Sequence, residues 1–259
     1  MSVVNSHLEH FSQQLDDLKQ QGNLRQFTAN IQQQRYIKID QHQMLNLASN
    51  DYLGLAADIQ LREQFFDETP SEQRWMSSSS SRLLTGNFPE YEQLETSLSQ
   101  AFHGRSALLF NSGYHMNIGI LPALADSKTL ILADKLIHAS MIDGIRLSKA
   151  KYLRYRHNDL THLTQLLHQY HEDDAFERII VVTESIFSMD GDETDLAELV
   201  QIKKQFSKVM LYVDEAHAIG VRGVQGLGCA EQYNVIDNID FLVGTFGKAM
   251  ASVGGYLIC

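Results

Sequence analysis

Short apolar runs alternate with segments of helical period along most of the chain. The runs are MLNLAS from residue 44, SALLF (106–110), TLILA (129–133), KYLRY (151–155), RIIVV (178–182), VMLYVD (209–214), DFLVGTF (240–246) and GYLIC (255–259). Several are apolar at every position, the pattern of a strand covered on both faces; a sheet wetted on one face would alternate. Between them, residues 89–102 carry Leu94, Leu98 and Phe102 in helical register, 158–170 open on Asn158 as a capping residue, and 195–206 carry Leu196, Leu199, Val200 and Phe206. Ahead of the first run, Leu8, Phe11, Leu15 and Leu18 predict a helix over 6–21, with Ser6 as its N-cap and Gly22 as its stop. This βαβα order implies an α/β domain with a largely parallel, buried sheet. In such sheets ligands sit beyond the carboxyl ends of the strands.

Composition narrows the function classes. With 259 residues, 44% of them hydrophobic and 20% charged, the chain has the make-up of one large or two modest folded domains, and disorder is excluded as its main state. The boundary is expected near residue 45, with an N-terminal helix and arm over 1–45 and a main domain over 46–259. Lysine and arginine number 21 against 32 acidic residues, a net charge of −11 that repels polyphosphate and anionic lipid, so neither a nucleic acid nor a membrane is expected as partner. Cys229 and Cys259 form no CxxC pair, which suits a reducing compartment. The amino terminus lacks a basic stretch followed by an apolar one, and no run approaches the roughly 18 apolar residues of a membrane span. A soluble, cytoplasmic protein is expected.

Polar residues recur where the strands end: Ser112-Gly113-Tyr114 after SALLF, Asp134 and His138 after TLILA, Thr183-Glu184 and Ser188 after RIIVV, Asp214 and His217 after VMLYV, Thr245 and Lys248 after DFLVG. Ser112-Gly113-Tyr114 leads into a helical stretch, so free backbone N–H groups would face an anion such as a phosphate, although turn geometry alone also accounts for Ser-Gly. Asp214 closes an apolar strand, where a carboxylate costs several kcal/mol to bury unless a cation or donors meet it. A helix N-terminus or a lysine would serve. A protonated heterocyclic nitrogen would serve too, and that is what pyridoxal phosphate requires to draw electrons from a substrate Cα. Lys248, in TFGKAMASVGG, is flanked by small and apolar residues that admit a bulky planar ligand. A lysine amine becomes a nucleophile when burial lowers its pKa or when it condenses with an aldehyde.

The strings SNDYLGL (49–55), SGYHMN (112–117), DKLIHAS (134–140), TESIFSMDGD (183–192), VDEAHAIG (213–220) and TFGKAMASVGG (245–255) occur together and in this order. As a set they closely resemble the α-oxoamine synthases, pyridoxal-phosphate enzymes of the aspartate aminotransferase fold, and the resemblance covers essentially the whole chain. It implies a three-layer α/β large domain with a mostly parallel central sheet over 46–259, and a homodimer. It also implies roles for single residues. Lys248 would carry the cofactor as a Schiff base and later move the Cα proton, and Asp214 would pair with the pyridinium nitrogen. His217 and Ser188 would surround the phenolic oxygen, and His138 would stack on the ring. Ser112, the Gly113 and Tyr114 N–H groups and the Thr245 hydroxyl would bind the phosphate, while Asn50 and Arg25 resemble substrate-side positions.

The implied activity is acyl transfer: decarboxylative condensation of an amino acid with an acyl thioester. The nearest likeness is to the branch that joins L-alanine to a pimeloyl thioester, carried on CoA or acyl carrier protein, on the way to biotin. A ligase using glycine and acetyl-CoA stays open, as does a non-catalytic remnant. Two departures stand out. Ser77–Ser81 replaces a stretch that is usually rich in glycine, and the chain stops eleven residues after Lys248 inside GYLIC. Family members continue there through a smaller domain that supplies an arginine for the substrate carboxylate, so this chain is expected to be a truncated form lacking that domain.

Overall fold

The structure, a computed structural model, describes residues 6–259. It divides into two compact units, Met1–Leu47 and Ala48–Cys259. In the first, helix α1 (Ser6–Gln20) ends at Gly22, whose φ of 69° is the left-handed conformation that glycine adopts without strain. The helix includes Ser6, whose side chain lies outside the described residues. A small antiparallel sheet follows: β1 (Ile31–Gln33), β2 (Tyr36–Ile39) and β3 (His42–Leu45). The run MLNLAS therefore does not open the buried sheet as its composition suggests. Its first two residues, Met44 and Leu45, belong to β3, and every residue of that strand is exposed.

The second unit holds helix α2 (Ile59–Glu68), helix α3 (Pro89–Ala101), β4 (Ala107–Phe110) and helix α4 (Gly113–Leu124). Then come β5 (Thr129–Asp134), α5 (Ala139–Leu147), β6 (Lys151–Tyr155), α6 (Leu160–Tyr170) and β7 (Arg178–Glu184). The chain continues through α7 (Leu196–Lys203), β8 (Val209–Asp214), the short α8 (Cys229–Gln232), β9 (Phe241–Thr245) and β10 (Gly255–Ile258). Seven strands form one sheet in the order β4-β10-β9-β8-β7-β5-β6. The pairs from β9 to β6 are parallel, and β10 runs antiparallel to both of its neighbours.

Strand residues alternate between two buried clusters, which makes the domain three-layered. Leu130, Leu132, Ile179, Val181, Leu211 and Val213 pack on one face with Leu163 and Leu167 of α6 and Leu199 of α7. Ile131, Ala133, Ile180, Val182 and Tyr212 pack on the other with Met116 and Leu121 of α4 and Met141 of α5. Each fully buried aliphatic side chain contributes about 1.5–3 kcal/mol, so the runs that read as continuous in the sequence hold both outer layers at once. All six residues of β5 are buried.

Helix α6 departs from expectation at its cap. Asp159, not Asn158, accepts the N–H of His162, at 2.7 Å. Asn158 stands one residue earlier with φ 51° and turns its side chain toward Asp192 and Glu193. Among the described residues no helix is long and apolar enough to cross a membrane.

Candidate active site

Strands β7 and β8 run parallel with Glu184 opposite Asp214, so two carboxyl groups leave the sheet side by side at its carboxyl edge. Both are buried. Asp214 accepts the Ala216 N–H at 2.9 Å and the Asn117 amide at 3.3 Å. Asn117 lies inside α4, and its orientation is set from both sides: the Tyr212 hydroxyl donates to its Oδ1 at 2.5 Å, and its Nδ2 also donates to Ser140 Oγ at 2.9 Å. Among the described residues no lysine, arginine or histidine forms an ion pair with Asp214. Burial, and then the charge of Asp214, push the Glu184 carboxyl up to about 8, so it is largely protonated at neutral pH. Its Oε1 accepts the His138 N–H at 2.6 Å.

Lys248 follows β9 in the loop that returns as β10. Its Nζ lies 2.7 Å from His217 Nε2, and His217 Nδ1 lies 2.7 Å from the Tyr52 hydroxyl, which in turn donates to Asn50 Oδ1 at 3.3 Å. With the Lys248 ammonium donating to Nε2, the imidazole proton belongs on Nδ1 and points to Tyr52. Burial and the neighbouring Lys248 cation push His217 down to about 4, so this imidazole is neutral at physiological pH. Burial also lowers the Lys248 pKa, against the opposing pull of Asp214 and then Glu184.

Ser112 caps α4 by accepting the His115 N–H at 3.1 Å, which leaves the N–H groups of Gly113 and Tyr114 without partners inside the helix. The helix start lies hard against the β9–β10 loop. A Cβ on Gly113 would come within 3.8 Å of Thr245 Oγ1, and one on Gly255 would come within 3.0 Å of the Gly113 nitrogen. Thr245 is engaged in the loop itself, donating to the Gly254 carbonyl at 2.9 Å and accepting from Gly247 N–H at 3.1 Å.

His138 caps α5, its Nδ1 accepting from Ser140 N–H at 3.2 Å, and it remains exposed. The structure thus brings Lys248, His217 and Asn50 into one chain of contacts, with Asp214 close enough to act on Lys248. Ser188 is exposed on the turn after β7 and shares no hydrogen bond with that chain among the described residues. Arg25 belongs to the first unit, exposed between α1 and β1. Sequence reasoning assigned no role to Asn117, Tyr52 or Glu184. An amide inside the mostly apolar helix GYHMNIGILPAL was the one available signal for Asn117.

These groups fit pyridoxal phosphate. A buried carboxylate with no ion pair among the described residues suits a protonated ring nitrogen, a helix start lined by glycine suits a phosphate, and an amine of lowered pKa suits an aldehyde.

Residues 42–259 match the family model described as aminotransferase class I and II. The chain is 58% identical over 252 residues to a Pasteurella multocida protein provisionally named 8-amino-7-oxononanoate synthase, covering 97% of this chain and 65% of that one. Among solved structures it resembles a serine palmitoyltransferase variant from S. paucimobilis with a bound PLP–myriocin adduct, at 27% identity and a TM-score of 0.82, over 99% of this chain and 64% of that one. It also resembles 8-amino-7-oxononanoate synthase from Francisella tularensis, at 30% identity and a TM-score of 0.66, over 82% and 57% of the two chains. The chain thus spans about 65% of the length of the Pasteurella relative.

Proposed function

The chain belongs to the class I and II aminotransferase family, and within it we propose that the protein is an acyltransferase of the α-oxoamine synthase type that condenses L-alanine with a pimeloyl thioester. The observation that carries this reading is the buried Asp214 carboxylate, with no ion pair among the described residues, beside a half-buried lysine of lowered pKa. The similarity to proteins named 8-amino-7-oxononanoate synthase supports the choice of alanine and a pimeloyl group.

Pyridoxal phosphate, when bound, supplies an aldehyde carbon to hold the amino acid and a cationic ring to draw electrons from its Cα. Asp214 holds the proton on the ring nitrogen, and the amide of Asn117, fixed by Tyr212, keeps the carboxylate aimed. Glu184 stays protonated, so a second negative charge does not compete for that proton. The free Lys248 amine takes the Cα proton of alanine and later returns one to the product carbon; its lowered pKa keeps a larger share of it unprotonated near neutrality. Neutral His217 orients that amine through Nε2 and is itself oriented by Tyr52. The Gly113 and Tyr114 N–H groups and the α4 dipole hold the phosphate, with the Thr245 hydroxyl alongside. His138 covers the ring, Ser188 joins His217 near the phenolic oxygen, and Asn50 meets the substrate.

The working unit is a homodimer. The exposed Ile59, Leu61, Phe65 and Phe66 of α2 support an apolar contact for the second copy. Product analysis after incubation with alanine and pimeloyl-CoA tests the reading. An amino ketone with release of carbon dioxide and free thiol is expected. Turnover confined to glycine with acetyl-CoA, or to no pair of substrates, overturns it.

A further inference from the structure

The segments that carry His138 and Ser188 leave the sheet from adjacent strands, β5 and β7. A third loop, after β6, reaches both. His157 in that loop places Nδ1 2.9 Å from Asp134 Oδ1 and Nε2 2.7 Å from Asp192 Oδ2. Only the doubly protonated imidazolium donates to both oxygens. The ring stands edge-on to Phe187, with centroids 4.5 Å apart, so its position is held by packing as well as by charge. Asn158 repeats the connection: its backbone N–H donates to Asp134 Oδ2 at 2.8 Å, and its amide donates to Asp192 Oδ2 at 2.7 Å.

Each carboxylate in turn shapes its own loop. Asp134 is fully buried, and its Oδ1 accepts Leu136 N–H at 2.8 Å, two residues before His138. The Asp192 carbonyl accepts Phe187 N–H at 3.0 Å, closing the turn that contains Ser188. No described contact joins the His138 and Ser188 side chains directly.

We propose that His157 is a positioning residue: as a cation shared by Asp134 and Asp192, it ties the His138 loop to the Ser188 loop and so sets their spacing around the cofactor site. The cofactor half of this statement rests on the pyridoxal-phosphate reading above; the tie itself does not. Burial opposes the charge on His157, but hydrogen bonding and attraction from Asp134, and then from Asp192, outweigh it and raise the pKa. The ionisable groups that face the ring are Asp134 on β5 and Asp192 after β7, while behind them the charge of Asp134 helps to raise Tyr155 on β6 and Glu184 on β7. Because the folded-state pKa is raised, the tie is complete below the unfolded value of about 6.5 and is lost as pH rises through the folded value.

Hydrogen exchange measured by mass spectrometry on the 259-residue chain without added cofactor, at pH 6 and pH 8.5 and corrected for intrinsic rates, tests the tie. His157→Gln is expected to speed exchange about tenfold in both 135–139 and 186–192 while β8 and β9 stay unchanged, since a hydrogen bond to a charged group is lost on each side. Asp192→Asn, at a partly exposed position, is expected to do the same, and the double variant to go no further than either single one. The unsubstituted chain is expected to loosen in both segments between the two pH values, and His157→Gln is not. In a parallel absorbance titration, His157→Gln is expected to weaken pyridoxal-phosphate binding about tenfold.

Loosening of one loop alone, strict additivity, or the same pH response with and without His157 overturns the proposal. If both loops respond as expected but the unsubstituted chain takes up no pyridoxal phosphate, the tie is supported and the reading of the site falls.

Discussion

At the amino end of the central sheet, Lys203 Nζ lies 2.6 Å from Asp240, whose Oδ2 also accepts the Leu211 N–H at 2.6 Å. Nearby, Arg105 spreads its guanidinium over the carbonyls of Ile236 and Asp240 at 2.6 and 2.9 Å. At the carboxyl end, Glu184 and Asp214 stand side by side, both buried, with no paired cation among the described residues. The same sheet therefore treats its charges in two ways. At one end opposite charges cancel and stitch the strands; at the other, between β7 and β8, two acids are crowded and buried, and Glu184 is pushed up to about 8. Such perturbation without cancellation is what a binding site for an outside cation requires.

The contrast is open to test by substitution. The largest effect is expected for Asp214→Asn: turnover in the condensation assay falls about 10²–10³-fold, in the range found when one preorganised electrostatic group is removed, while the cofactor-free chain melts no lower than the unsubstituted one. A melting temperature that drops with turnover would place Asp214 among the structural charges. At the amino end the opposite outcome is expected. Asp240→Ala leaves the Leu211 N–H without its partner and Lys203 with only the Asn238 carbonyl, costs about 2–3 kcal/mol in denaturant unfolding, and leaves cofactor affinity unchanged.

A smaller effect is expected from Glu184→Gln. Because Glu184 is raised to about 8, its protonated form stabilises the fold below the unfolded value of about 4.5, and that contribution is lost as pH rises through 8. Melting temperatures from pH 5 to 8.5 should therefore fall in the unsubstituted chain and fall less in Glu184→Gln. The remaining slope belongs to Glu215, which burial raises to about 7, and to His157, whose raised pKa makes its tie fail as pH rises. Equal slopes would remove Glu184 from the account. The smallest effect is expected for Arg178→Ala, which breaks an exposed ion pair with Asp126 and should change neither melting temperature nor cofactor binding measurably.

The difference between the two ends also explains what is legible in the sequence. TLILAD and RIIVVTE announce buried strands because every position must be apolar when helices cover both faces. GYLI has the same composition, yet β10 runs antiparallel, since strand direction follows from the tight return after Lys248 and leaves no mark on which residues are apolar. MLNLAS misleads for a related reason: apolar residues are not always buried, and β3 is exposed. Asn158 and Asp159 are both good caps, and only the distant Asp192 and Glu193 show which one is diverted.

In the site, Asp214 stood out because a charge at the end of an apolar strand is costly wherever it occurs, and Lys248 because small and apolar residues flank it. Tyr52 and Asn117 did not stand out. Their roles depend on partners 165 and 97 residues away, a separation that no local pattern carries.

The most direct test of the central claim is chemical. The purified chain is mixed with pyridoxal phosphate, reduced with borohydride, digested and mapped by mass spectrometry. The account predicts one pyridoxyl group, on Lys248, and none after Lys248→Ala. Label spread over surface lysines, or absent from the peptide that carries Lys248, would contradict it.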